Sequence, residues 1–320
     1  MRLQTHRSLF SFIFGTAFVI VGFGIWLLLS SKYEKPIPVI GPNTCPNSQP
    51  HKLNIHLISY SESNIGWLHV HNQTYFASVI DSVMLSLTKH QNRRFVYAET
   101  FVLWEWWKRQ NQTKREMLRK LINDGRFEIV SGGWTINDEA VSYYQSIIDQ
   151  YTLGFRRLKD MIGNYDGPRV AWQVNSFGHS REQASLFSQM GFDGMFISRV
   201  DYQYKKACLD NKTAEFMWKT SNSLGKSNNL FTSIIYNRFT PPPGFCFDIR
   251  CDERVPIIDD PKNLNYNVDE RVEQLLTYVK KQALSYRTDN IVLTMGDKLQ
   301  YTEAELWYSN MDKLIRFIFN

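Results

Sequence analysis

Residues 167–204, GPRVAWQVNSFGHSREQASLFSQMGFDGMFISRVDYQY, decide the fold. They open on a short apolar run, residues 169–174, whose β-branched members and tight length predict a buried strand. A polar turn, Asn175-Ser176-Phe177-Gly178-His179-Ser180, follows it. Ser180 with Gln183 three residues on has the form of a capping box, and Gly191 stands where a helix ends in a left-handed residue. A second strand, residues 195–200, completes a βαβ unit. Its polar residues lie on the loop after the first strand, where α/β folds place chemistry.

The same alternation extends outward. Strands are expected at residues 53–59, 94–98, 127–131, 215–219, 230–235 and 290–295. Helices are expected at 74–90, from the Trp104-Glu105-Trp106-Trp107 segment, from Thr113 with Glu116 as cap, and from about 140 to 162. Two more run from Asn267 with Glu270 to 285, and over 303–319. Few hairpin signals separate neighbouring strands, so the expected fold class is α/β, a largely parallel sheet covered by helices. Glu62, Asn64, Glu99, Trp134, Asn175, Arg199 and Asp297 each fall just after a predicted strand. In a parallel fold such ends share one face, so these side chains are placed to converge.

The segment Trp172-Gln-Val-Asn175-Ser176-Phe177-Gly178-His179-Ser180, then a helix and Gly191-Phe-Asp-Gly194, resembles a known signature. It is similar to Trp-x-x-Asp-Pro-Phe-Gly-His-Ser of glycoside hydrolase family 38, the α-mannosidases, and to their lysosomal branch in particular. The likeness runs from about residue 45 to the end and implies an irregular β/α barrel-like domain over residues 52–320. By the same resemblance Asn175 holds the position of the nucleophilic aspartate, with Ser176 for the following proline. Tyr60, Glu62 and Asn64 stand in the family's His-x-His-x-Asp segment, whose second histidine and aspartate bind zinc. Lys298 holds the general-acid position, with Asp297 one residue away as a possible substitute. Trp67, Phe177, Arg199 and Tyr202 match residues of the sugar-binding shell, as do Gly178 and His179 of the surrounding frame; His179 itself reads as a hydrogen-bonded loop residue.

A retaining glycosidase needs one carboxylate to attack the anomeric carbon and a second carboxyl to protonate the leaving oxygen. An amide at Asn175 has no negative charge and is a poor nucleophile. The zinc positions read Glu62, Asn64 and Asn175, one anion and two neutral amides, and the family's fourth ligand falls past residue 320. Zinc is therefore the implied cofactor, with weak or absent binding expected. The expected function is that of an α-mannosidase-family protein acting on mannose-containing N-glycans, impaired in hydrolysis. The alternatives are a membrane-tethered glycan-binding pseudoenzyme and a fragment of a longer α-mannosidase. In either case a protein partner is expected over the face that the family's later domains cover.

Composition bounds the remaining classes. The chain has 320 residues, 43% hydrophobic, with a net charge of +6 but no dense Lys/Arg block or zinc-finger spacing, which argues against nucleic acid. Residues 9–29 are apolar throughout and long enough to span a bilayer, giving a signal-anchor or a cleaved signal peptide over residues 1–30. Both send the chain into the secretory pathway, to a Golgi or lysosomal lumen. Residues 31–51 form a Pro-rich stem. Sequons at Asn72, Asn111 and Asn211 are candidate glycosylation sites. The family resemblance implies a Cys246–Cys251 disulfide, across a loop short enough to close. Cys45 is either free or paired anew, with Cys208 as the candidate partner.

Overall fold

The computed structural model describes residues 48–63, 65 and 73–319. The apolar segment at 9–29, most of the stem, Cys45, Asn64, Gly66, Trp67 and Asn72 lie outside the described residues.

The elements alternate as the pattern predicts. They are β1 (Asn54–Glu62), α1 (Gln73–Lys89), β2 (Phe95–Tyr97), α2 (Thr100–Arg109), α3 (Gln112–Asn123), β3 (Phe127–Ile129), α4 (Tyr144–Ile162), β4 (Val170–Phe177), α5 (Arg181–Met190) and β5 (Gly194–Arg199). There follow α6 (Tyr202–Asp210), β6 (Glu215–Trp218), β7 (Leu230–Ile234), α7 (Val268–Ala283), β8 (Asn290–Lys298) and α8 (Ala304–Phe319). The strands form two four-stranded sheets, ordered β3-β2-β1-β8 and β4-β5-β7-β6. Every pairing is parallel except β6 with β7.

The two sheets curl toward one another. Ser131, just past β3, donates its N–H to the Val170 carbonyl at 2.8 Å and accepts from the Trp172 N–H at 2.7 Å through Oγ. On the other side the loop after β7 fills the gap to β8. Thr294 Oγ1 donates to the Thr240 carbonyl at 2.7 Å, and the Tyr60 hydroxyl donates to the Phe239 carbonyl. Tyr60, Val130, Trp172, Val174, Ile235 and Phe239 fill the enclosed interior. The opposite strand faces pack on the helices through residues such as Ile80, Leu103, Tyr151, Phe187, Leu275, Leu293 and Trp307. Each such side chain contributes about 1.5–3 kcal/mol by leaving water, and the alternation of Ile291, Leu293 and Met295 on β8 is what aims it. The result is an irregular α/β barrel-like domain.

Local signals explain the joints. Ser180 accepts from the Gln183 N–H at 3.1 Å, and Gly191 ends α5 at φ 94°. Gly296 lets β8 lie against β1, since a Cβ there would sit 1.9 Å from the Tyr60 carbonyl oxygen. Two expectations change, at the start of α3 and at the end of β4, and one is refined. Helix α3 is capped by Asn111, whose Oδ1 accepts from the Lys114 N–H at 2.9 Å, so it starts before Thr113. Asn267 does stand at the cap of α7, but its Oδ1 accepts from the Ile258 N–H at 2.8 Å and anchors the preceding loop. The turn expected at Asn175 begins later, because β4 continues through Phe177, which pairs with Arg199 across a register shift. Cys246 and Cys251 are disulfide-bonded, whereas Cys208 is a free, buried thiol.

Candidate active site

The strand ends bring together five of the residues singled out from the sequence. Glu62 ends β1, Glu99 follows β2, Asn175 lies near the end of β4, and Asp297 with Lys298 closes β8. In the β1–β8 ladder Ser61 faces Asp297 and Glu62 faces Lys298.

Glu62 is 2% exposed. Burial pushes its carboxyl up to about 8, and the charges of Glu99 and Asp297 push the same way. Lys298 and the Asn175 amide oppose the shift without cancelling it. Glu62 is thus largely a neutral acid at neutral pH. Asp297 is also raised by burial, with the Lys298 N–H (2.6 Å to Oδ1) and the lysine's charge opposing. Lys298 itself lies with Nζ 5.3 Å from the centre of the Phe239 ring.

Glu99 has a structural task. Its carboxylate accepts from the Ser63 N–H at 2.7 Å and the Ile65 N–H at 3.5 Å, so it folds the chain just after β1. Asn175 is held by Arg199, whose guanidinium reaches the Asn175 carbonyl at 3.1 Å and its Oδ1 at 3.4 Å. The same guanidinium lies 5.5 Å over the Phe177 ring. Phe177 is 65% exposed and Tyr202 76% exposed, so both present aromatic surface to solvent beside this corner. Trp134 instead packs edge-on against Phe101, with ring centres 5.3 Å apart.

His179 and Glu139 form a second, buried pair. Nδ1 lies 2.9 Å from Glu139 Oε1, and Oε2 accepts from the Ser180 N–H at 2.9 Å. Sequence reasoning placed His179 as a hydrogen-bonded loop residue but missed Glu139, which lies forty residues upstream with no local pattern to mark it. It also missed Lys205, whose Nζ donates to the Ser198 carbonyl at 3.4 Å, and Arg238, whose charge acts on Lys205.

The donor set is poor for a transition metal. Among the described residues no group of three or more His, Cys, Asp or Glu side chains is placed to hold a metal ion. Glu62 is buried at the end of β1, and the Asn175 amide oxygen faces the Arg199 guanidinium at 3.4 Å. Of the family's zinc positions the described residues include one carboxyl, Glu62, and one amide, Asn175.

Comparison with known proteins agrees with the sequence signature. Residues 52–320 match the model of the glycosyl hydrolases family 38 N-terminal domain. The lysosomal alpha-mannosidase of Cavia porcellus is 41% identical over 290 residues, 87% of this chain and 29% of that protein. The lysosomal alpha-mannosidase of Mus musculus is 40% identical over 316 residues, 95% of this chain and 31% of its own length. The chain therefore spans about three tenths of the curated relatives it matches. A crystal structure of an alpha-mannosidase from Enterococcus faecalis V583 superposes with a TM-score of 0.61 at 13% identity, over 83% of this chain and 27% of that one, a likeness of fold. With the family model covering the whole described domain, the chain belongs to glycosyl hydrolase family 38 and carries its N-terminal domain.

Proposed function

We propose that this chain is an α-mannoside-recognising member of its family whose own hydrolytic step is impaired or lost. One observation carries the reading. The position that the family signature gives to the nucleophile is an amide, Asn175, held by Arg199 beside the buried Glu62. An amide oxygen does not form the glycosyl-enzyme ester that a retaining mechanism needs. At the acid position Lys298 is a cation that cannot deliver a proton as a carboxylic acid does, and Asp297 is the one nearby carboxyl able to substitute. The family's zinc has no part in this reading, since the donors at Glu62 and Asn175 do not suit it.

What remains is a sugar surface. Phe177 and Tyr202 offer exposed rings, and Arg199 donates hydrogen bonds in the same corner. Aromatic faces and fixed donors suit a mannose-containing glycan. The lysosomal relatives and the apolar amino-terminal segment support a secretory-pathway lumen, with membrane attachment through residues 9–29.

The test is hydrolysis of an aryl α-mannoside alongside glycan-array binding by the purified chain. Expected are turnover indistinguishable from a no-protein control and retained binding that Phe177→Ala weakens. Zinc-dependent turnover above control would overturn the reading.

A further inference from the structure

A line of cations runs along the ends of β5, β7 and β8. Arg199 closes β5, and the groups that hold it, the Asn175 carbonyl and amide oxygen, are neutral. Lys205, in the first turn of α6, brings Nζ to the Ser198 carbonyl at 3.4 Å. Arg238, in the loop after β7, lies near enough for its charge to act on Lys205. Lys298, ending β8, sits over the Phe239 ring, the residue next to Arg238. Among the described residues none of these four cations forms an ion pair with a carboxylate. Lys298 lies in the field of Asp297 and Glu62, so it flanks the line of cations rather than leading it.

This arrangement is costly in a bare fold. Lys205 is held down to about 8, first by burial and then by repulsion from Arg238. Removing a cation from water beside another cation is unfavourable unless an anion completes the site. A second, independent observation lies at the same strand end. Ser198 is 2% exposed, and its hydroxyl has no hydrogen-bond partner among the described residues. On β5 it alternates with Ile197 and shares a face with Phe196, whose ring packs on Trp172 in the interior. An uncommitted hydroxyl, the half-buried Lys205 ammonium and the exposed guanidiniums of Arg199 and Arg238 around one strand end are the components of an oxyanion site.

We infer that this rim binds an oxyanion carried by a sugar, a phosphomonoester or a carboxylate, with Lys205 and Arg238 as its charged contacts and Arg199 and Lys298 at its flanks. The inference rests on the glycan-recognition reading, because the exposed rings of Phe177 and Tyr202 beside Arg199 are what would seat the sugar. It gives the charge inversion at the site a role. Where family resemblance expects two carboxylates, this chain presents Asn175 and Lys298, and a ligand that carries its own negative charge fits that change.

Calorimetric titration of the full chain tests it with four probes: methyl α-mannoside, its 6-phosphate, glucuronate and inorganic phosphate. At least one charged sugar should bind tenfold or more tightly than methyl α-mannoside, and the gain should shrink with added salt. The two charged sugars distinguish phosphomonoester from carboxylate. Lys205→Met keeps the buried stem, and Arg238→Gln changes a side chain exposed to solvent. Each should lose at least fivefold in affinity for the charged sugar and leave the neutral one unchanged. Lys205→Met should also raise the unfolding midpoint, because the repulsion is gone, so a folding defect is not mistaken for lost binding. Equal affinity for neutral and charged sugars, or indifference to both substitutions, overturns the inference and leaves glycan recognition standing. Inorganic phosphate that binds as tightly as the sugar phosphate overturns the assignment to a glycan. Turnover of a neutral mannoside would refute the proposed loss of hydrolysis without touching the anion site.

Discussion

Replacing Glu62 by glutamine should make the protein more stable, and the gain should grow with pH. Glu62 is buried at the β1 end, facing Glu99 on one side and Asp297 with Lys298 on the other, with the Asn175 amide beside it. Its folded value of about 8 lies above the ordinary 4.5. A raised value means the folded state holds the proton more tightly than the unfolded chain does. The stabilisation is complete below about pH 4.5 and is lost as pH rises through 8. Integrating the proton linkage between these values gives a loss of about 1 kcal/mol at about pH 5 and about 4 kcal/mol at about pH 8. Glutamine keeps the shape and carries no titrating proton, so the Glu62→Gln minus wild-type difference should widen by about 3 kcal/mol over that interval. Urea denaturation at both pH values, in chelator, measures it. Other ionisable groups act on both proteins and largely cancel in the difference. A difference that stays constant with pH would show that Glu62 titrates normally, and the neutral-acid account of the site would fall with it.

Other outcomes follow from particular contacts. Arg93, with its side chain 3% exposed, bridges Glu305 (2.8 Å) and Asp312 (2.8 Å) on α8. Arg93→Met should cost about 2–3 kcal/mol in urea denaturation, below a fully buried pair because both acids are half-exposed and can rehydrate. Gly154→Ala should lower the unfolding midpoint sharply, since the new Cβ would lie 2.2 Å from the Gly132 carbonyl oxygen. A glycan on Asn111 would use Nδ2 and leave Oδ1 to cap α3. Thr113→Val should therefore abolish an endoglycosidase-sensitive mobility shift without changing stability beyond about 0.5 kcal/mol, whereas Asn111→Ala should lose both the glycan and about 1 kcal/mol of cap.

Much of the fold was legible because its signals are local. Ser180, Gln183 and Gly191 bound α5 by adjacent chemistry, and the β4–α5–β5 unit follows from them. Where two local signals overlapped, the reading slipped by a residue or two. Asn111 and Thr113 can each cap α3, and Asn111 takes the Lys114 N–H. Asn175 and Ser176 are turn-forming types, yet pairing of Phe177 with Arg199 keeps them in β4, an interaction visible only once the neighbouring strand is placed. The convergence of Glu62, Glu99, Asn175 and Asp297 was readable because all lie at or just past the C-terminal ends of parallel strands. Lys205, Arg238 and Glu139 were not. Each acquires its partner only through tertiary packing, and none sits in a pattern that marks it.

The surviving frame around the strand ends is weaker testimony to catalysis than it first looks. Glu99 satisfies two backbone N–H groups where the chain leaves β1. Glu139 does the same for Ser180 at the start of α5 while holding His179, and Arg199 ties β5 to the Asn175 carbonyl. Losing any of these would leave buried polar groups without partners, at about 1–3 kcal/mol each. Folding alone is therefore enough to retain them. Asn175 and Lys298 differ, because the backbone contacts at their positions do not depend on which side chain stands there. The Arg199 bond goes to the Asn175 carbonyl, and the Lys298 N–H reaches Asp297 whatever the side chain at 298. Under the proposed loss of hydrolysis these are the two side chains where change is expected, and an amide that bonds Arg199 through Oδ1 and an ammonium stand where the family signature has carboxylates. A binding function that still uses the corner has to be sought in groups the fold does not need. Exposed Phe177, Tyr202 and Arg238, together with Lys205, are those groups, which is why the charged-sugar titration, rather than the intactness of the frame, is the measurement that decides what this domain recognises.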